Sequence, residues 1–245
     1  MQHFKSIKQF SATLGVVSLG IGLTTLPASA LTKTKPATTT ATDQAKVTQI
    51  ISKGDTEISR RLTTLNSLSS KISSAQKLSA GDSSTLSSEV STEVSGLTTL
   101  KTKLDADTDL ATAKSDAQSI FSDYRVYALI VPKVDLVRTA DSQQVTEGQL
   151  TTLAGKLQSR ITADQTAGKD VSALQSELSD LNTKVSAAQT ISAKIETGVI
   201  GLQPSDYNSN HAVLSGDRDQ LKTAQSDIKA ANTAAKNIVA SLKTL

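Results

Sequence analysis

Apolar residues seven positions apart constrain this chain more than any other feature. Ile51, Ile58, Leu65 and Ile72 form one such row, and Leu214, Leu221, Ile228, Ala235 and Leu242 form another. A strand turns successive side chains to opposite faces, so an odd step would scatter these residues over both sides of a sheet. On an α-helix seven residues make close to two turns and bring the row onto one face. The spacing therefore predicts long amphipathic helices that pack along narrow seams.

The same pattern recurs along the chain. Val47, Gly54, Leu68 and Ala75 fill a second row of the first helix, which Arg61 interrupts. Ser79-Ala-Gly-Asp82 reads as a capping box that separates it from a second stripe, Leu86, Val90, Val94, Leu97 and Leu104. A short helix is expected over 109–123. Another from about 133 carries Val134, Val137, Val145, Leu150, Leu153, Leu157 and Ile161. Ala167-Gly168-Lys169-Asp170 ends that helix and caps the next, whose row runs Val171, Leu174, Leu178, Leu181, Val185, Ala188 and Ile195. Gly198 and Gly201 stop it, and the chain restarts after Pro204 with Ser205 as the expected N-cap. In the last helix Asn210 and Asp217 fall on the companion row, where polar residues set register at a cost in stability. Short connections imply antiparallel neighbours. The expected fold is all-α: an elongated antiparallel helical bundle with coiled-coil-like seams and five to six helices over 44–245.

The first thirty residues have a different character. Lys5 and Lys8 precede an apolar stretch from Ser11 to Leu26, and Pro27-Ala28-Ser29-Ala30 supplies small residues at the end. This is the pattern of a secretory signal peptide, with cleavage expected between Ala30 and Leu31. The apolar stretch is shorter than the roughly 20 residues that span a bilayer, so membrane contact is expected only through the signal peptide. Residues 31–43 are Thr-rich and aperiodic and read as a flexible spacer.

Composition narrows the function. Without Lys5 and Lys8 the chain carries 24 basic residues against 23 acidic ones, and no basic run is interleaved with aromatics. Nothing favours nucleic acid. Cys is absent, which removes disulfides, thiolate metal sites and Cys nucleophiles. Beyond residue 30 the aromatics are Phe121, Tyr124, Tyr127 and Tyr207, so a thick core around a deep pocket is not expected. Asp105, Asp107, Asp109 and Asp116 resemble part of a calcium loop, but Leu110 stands where the turn needs Gly. The preferred reading is acids at a helix start. His211 reads as a capping or surface residue. No catalytic residue, cofactor-binding residue or metal ligand is assigned, and no cofactor is expected.

Residues 121–137 stand apart. They hold Phe121, Tyr124 and Tyr127, then an apolar run from Val126 to Val131 that ends on Pro132. Pro disfavours helix at the residue before it and suits a first turn, so a break is expected there. Phe121, Tyr124, Arg125 and Tyr127 are expected to fill that junction or, alternatively, to form an interaction patch, since Tyr and Arg are favoured at binding hot spots.

Three phrases, Asp105 to Thr112, Asp123 to Pro132 and Asp206 to Lys222, resemble a group of uncharacterised exported helical proteins of ultrasmall bacteria of the candidate phyla radiation, especially Saccharibacteria-like lineages. The likeness covers most of the chain after the leader. It implies an exported helical protein of an epibiotic bacterium and carries over no functional residue. The functional expectation is a non-enzymatic structural or interaction protein, exported to the cell envelope, cell surface or extracellular space. Its partner would be another protein, a second copy, or the envelope or host surface. The alternatives are a cell-wall-acting enzyme or inhibitor, and a small-ligand or calcium carrier.

Overall fold

The structure, a computed structural model, describes residues 40–245. The expected leader, its Ala30–Leu31 cleavage site and most of the Thr-rich spacer lie outside the described residues. Residues 40–245 fall within one structural unit.

This unit is an all-α helical bundle. Helices α1 (Ala41–Ser73), α2 (Ala80–Asp105) and α3 (Leu110–Ser122) lead to a five-residue π turn, Val126–Ile130, which runs directly into α4 (Val131–Thr166). Then come α5 (Ser172–Val199), the short α6 (Pro204–Ser209) and α7 (Asp217–Leu242). At 1.5 Å per residue the 36 residues of α4 extend about 54 Å. None of the described helices is long and apolar enough to cross a membrane.

Local chemistry accounts for the helix ends. The helical pattern starts a few residues before the expected position 44, because Thr40 caps α1 by accepting from the Asp43 N–H at 3.2 Å. Ser79 caps α2 by accepting from the Asp82 N–H at 3.0 Å. The other half of the expected capping box differs. The Ser79 N–H donates to Asp141 on α4 at 2.6 Å, so a residue distant in sequence takes the place of Asp82. Asp109 caps α3 through the N–H groups of Ala111 and Thr112, both at 3.0 Å. Asp170 accepts from the Ser172 N–H at 3.0 Å and starts α5.

Two apolar cores share α4. The first joins α1, α2, α3, the π turn and the first turns of α4, with Ile195 and Val199 from α5 and Leu221 from α7. The second joins the later part of α4 to α5 and α7 through Leu157, Ile161, Leu178, Leu181, Ala224 and Ile228. Between them α4 buries polar residues: Asp141, Gln143 and Glu147 are each no more than 5% exposed. Gln143 donates to the Leu221 carbonyl at 2.8 Å, and Glu147 accepts from the Ser192 hydroxyl at 2.9 Å. Burial pushes the Glu147 carboxyl up, opposed by the Ser192 hydrogen bond. The Asp141 carboxyl rises to about 6, chiefly through burial.

Four further expectations need correction. The short α6 starts at Pro204 with Gln203 as its N-cap, so Ser205 lies within the helix and does not cap it. Val145 lies on the predicted α4 stripe but is exposed, because the helix turns from one core to the other at that level. The last helix does not begin before Asn210. Asn210 and Leu214 belong to turns ahead of Asp217, so Asn210 is an exposed turn residue and not a seam residue. The expected break at Pro132 lies earlier, at residues 123–125, where Arg125 has φ 41 and ψ 34 in the left-handed region. The chain is already helical when it reaches Pro132. Proline lacks an N–H, and its ring collides with the carbonyl four residues back in a regular α-helix. Here the preceding turn is widened: the Val131 N–H reaches the Val126 carbonyl, five residues back. Pro132 then falls in the first turn of α4.

Candidate functional site

The π turn and the ends it connects gather the unusual side chains of the molecule, and they face two different environments. Val126, Leu129 and Ile130 point inward and are fully or almost fully buried. These aliphatic residues fill the core beneath the break. Phe121 and Tyr127, expected there as fillers, are 48% and 44% exposed.

The two aromatics flank Arg61. The guanidinium carbon of Arg61 lies 4.6 Å from the Phe121 ring centroid and 5.2 Å from that of Tyr127. Arg61 occupies the seam row formed by Val47, Gly54 and Leu68, where a cation would otherwise interrupt apolar packing. It is 5% exposed and donates to the Glu57 carboxylate at 2.6 Å and to the Glu57 carbonyl at 3.0 Å. The hydrogen bond from Arg61 holds the Glu57 carboxyl below its ordinary range. The ring faces attract the cation further, and the Tyr127 hydroxyl lies 3.2 Å from that of Thr64. Arg61 thus closes the seam and carries Phe121 and Tyr127 on the outer surface. Beside Phe121 runs a groove of about 530 Å³ between α1 and α3, lined by Ile50, Gly54, Ala117 and Ile120, with Lys53 and Glu57. Gly54 is needed here: a side chain on it would overlap Leu104 of α2.

The other two residues of the predicted set go elsewhere. Tyr124 packs half-buried against Gly96 of α2, where a Cβ would stand 2.7 Å from the ring. Burial, then the nearby charge of Glu93, raises its phenol. Arg125 donates to Asn208 at 2.6 Å and lies over the Tyr207 ring at 5.3 Å, and Asn208 donates to the Ser122 carbonyl at 2.8 Å. This tie fixes α6 against the chain break. His211 packs beside Tyr207 with centroids 5.0 Å apart. Phe121 and Tyr127 therefore share one surface, while Tyr124 and Arg125 serve other contacts.

A second cluster, which sequence reading passed over, lies where α4 meets α2. Lys133 is completely buried. Its ammonium donates to the Glu89 carboxylate and to the Leu202 carbonyl, the latter at 2.6 Å. It thereby links α2, α4 and the connection after α5. Glu93, one turn beyond Glu89, is 8% exposed, and its Oε2 has no hydrogen-bond partner among the described residues. Burial first, then the Glu89 charge, raises the Glu93 carboxyl to about 7 against the pull of Lys133. Burial raises Glu89 too, opposed by its bond to Lys133. The available signals were a lysine inside the apolar run around Pro132 and two glutamates at an i, i+4 spacing that repels on a helix.

Three of the four acids that suggested calcium have separate partners; the fourth, Asp107, has a buried Oδ2 with no hydrogen-bond partner among the described residues, and burial, then the Asp116 charge, raises its carboxyl. Asp105 pairs with Lys101 at 2.9 Å, Asp116 pairs with Lys103 at 2.8 Å, and Asp109 caps α3. The chain matches no known protein family, curated protein or solved structure.

Proposed function

We propose that this chain is an exported, non-enzymatic interaction protein of the cell envelope or surface. It acts by binding, and its docking surface is the α1–α3 face that carries Phe121 and Tyr127. The single observation behind this reading is the exposure of both aromatics, 48% and 44%, on either side of a buried Arg61. Large rings held rigidly over a guanidinium lose little entropy on binding, which is the character of an interaction hot spot. Export is supported by the residues from Lys5 to Ala30. The occupant is a protein segment that presents an aliphatic side chain. The groove beside Phe121 is apolar at its base, and Lys53 and Glu57 offer one charge of each sign to flanking polar groups. The seven-residue row of α1 supports coiled-coil-like packing behind this face, and that of α7 supports it against α4 and α5.

Site-specific photo-crosslinking tests the proposal. The mature protein with a crosslinker at Lys53 is applied to intact cells, and crosslinked peptides are mapped by mass spectrometry. Attachment to one protein segment with an aliphatic residue at the linked site, lost in Phe121→Ser/Tyr127→Ser, is the expected result. Attachment to a second copy would identify the occupant as this chain itself. Crosslinking undiminished in a folded double variant would remove the face from the account.

A further inference from the structure

Glu89 and Glu93 line a cleft of about 490 Å³ between α2 and Gln203 of the connection after α5. Three features of its chemistry point the same way. First, the carboxylates are incompletely used. Glu89 Oε1 holds Lys133, but Glu89 Oε2 and Glu93 Oε2 are buried without a hydrogen-bond partner among the described residues. Glu93 is only 8% exposed, and it is one of the residues that line the cleft. A buried acceptor left without a donor is costly. Second, the hydroxyls nearby are acceptors. Thr85 and Thr92 give their protons to the carbonyls of Gly81 and Ser88, each at 3.0 Å, so their lone pairs remain for a ligand. Third, the charge is incomplete. Lys133 offsets one of the two carboxylates and leaves room for one further positive charge.

We propose that this cleft binds an organic cation rich in N–H donors, a primary ammonium or a guanidinium, with Glu93 as its ionic partner and Glu89 Oε2 as a second acceptor. A divalent metal fits less well, because the Lys133 ammonium on Glu89 leaves room for one further positive charge and repels two about twice as strongly as one. The volume of about 490 Å³ admits a lysine or arginine side chain together with the groups that flank it. The site lies on α2 and is distinct from the aromatic α1–α3 face. Its operation depends on pH, because the cation competes with a proton for Glu93. The charged and titratable groups around that carboxyl are Glu89 on the same helix, Lys133 on α4 and Tyr124 after α3.

The test is a titration of isotope-labelled protein followed by amide NMR. The probes are n-butylammonium and agmatine as free cations and N-acetyl-lysine methylamide as a side chain within a peptide. Saturable shifts confined to residues 84–93 and 201–204 are expected. Apparent affinity should fall about tenfold from pH 8 to pH 6, as one proton replaces the cation. Preference for the free cations would identify a small-molecule ligand, and preference for the methylamide would identify a peptide side chain. Glu93→Gln should abolish the saturable shifts. The wild-type pH dependence provides a readout that does not rely on how the variant folds. Absence of saturation with all three probes, affinity independent of pH, or equal binding by a folded Glu93→Gln protein would each overturn the proposal.

Discussion

Replacing Lys133 by Met should lower stability by about 3 kcal/mol near pH 8, the lower end of the range for breaking a buried ion pair. The magnitude follows from what the ammonium leaves behind. Its side chain is 0% exposed, so Met fills similar apolar space, and the loss lies in the polar partners. The Leu202 carbonyl loses a donor at 2.6 Å, worth about 1 kcal/mol. Glu89 keeps a negative charge with 12% side-chain exposure and an Oε2 that has no partner. Its opening to the cleft admits some solvent, which keeps the penalty near the lower limit. Near pH 5 the penalty should shrink, because burial already raises the Glu89 carboxyl and the loss of Lys133 raises it further, so it takes up a proton. Lys133→Met/Glu89→Gln removes both charges and should return to within about 1 kcal/mol of wild type. Urea unfolding followed by far-ultraviolet circular dichroism at the two pH values measures all three proteins. A loss below about 1 kcal/mol for the single variant near pH 8, or a double variant no better than the single one, would refute the ion-pair reasoning.

Glu93→Gln should stabilise the fold near pH 8 by about 2 kcal/mol, after discounting the shift for solvent on the cleft side, and leave it unchanged near pH 4. Its carboxyl ionises near 4.5 when unfolded and at about 7 when folded, so the folded chain holds the extra proton between those values. Wild-type stability must therefore fall as pH rises through that window and level off above it. Equal melting temperatures near pH 8 would contradict this. Asp141 acts in the same direction between 3.8 and about 6, so Asp141→Asn should flatten the lower part of the same curve in a thermal-melt series. Gly54→Ala should cost about 1–3 kcal/mol by forcing α1 away from Leu104, read from denaturant midpoints. An unchanged midpoint would mean that the two helices separate freely.

Much of the helical framework was legible because it depends on local spacing. The rows through Ile58, Leu65 and Ile72 and through Leu221, Ile228 and Ala235 are buried where a seven-residue period places them. Asp109 could be recognised as a cap because the hydrogen bonds it makes are to residues two and three positions away. The failures share a non-local cause. Arg61 interrupts its row in sequence, yet it is buried under Phe121 and Tyr127, about sixty residues further on. The break assigned to Pro132 moved to residues 123–125 because a widened π turn absorbs the proline. Leu214 continues a seven-residue row only on paper, since the chain turns at Gly216 before α7 begins. Val145 carries the right spacing on a helix that changes cores at that level. Lys133, Glu89 and Glu93 were passed over because two of them meet only across α2 and α4, a contact that no single-helix pattern contains.

The decisive measurement sets binding against stability for the α1–α3 face. Phe121→Ser/Tyr127→Ser removes two half-exposed rings and the contact between Tyr127 and Thr64. It should lower stability by no more than about 2 kcal/mol, because Arg61 gains water as it loses the ring faces. Its affinity for the crosslinked partner segment, measured by calorimetry, should fall at least about 30-fold, as expected for a hot spot. A dissociation constant within about twofold of wild type, with most of the damage appearing as lost stability, would mean that these aromatics serve the fold and that the protein binds elsewhere.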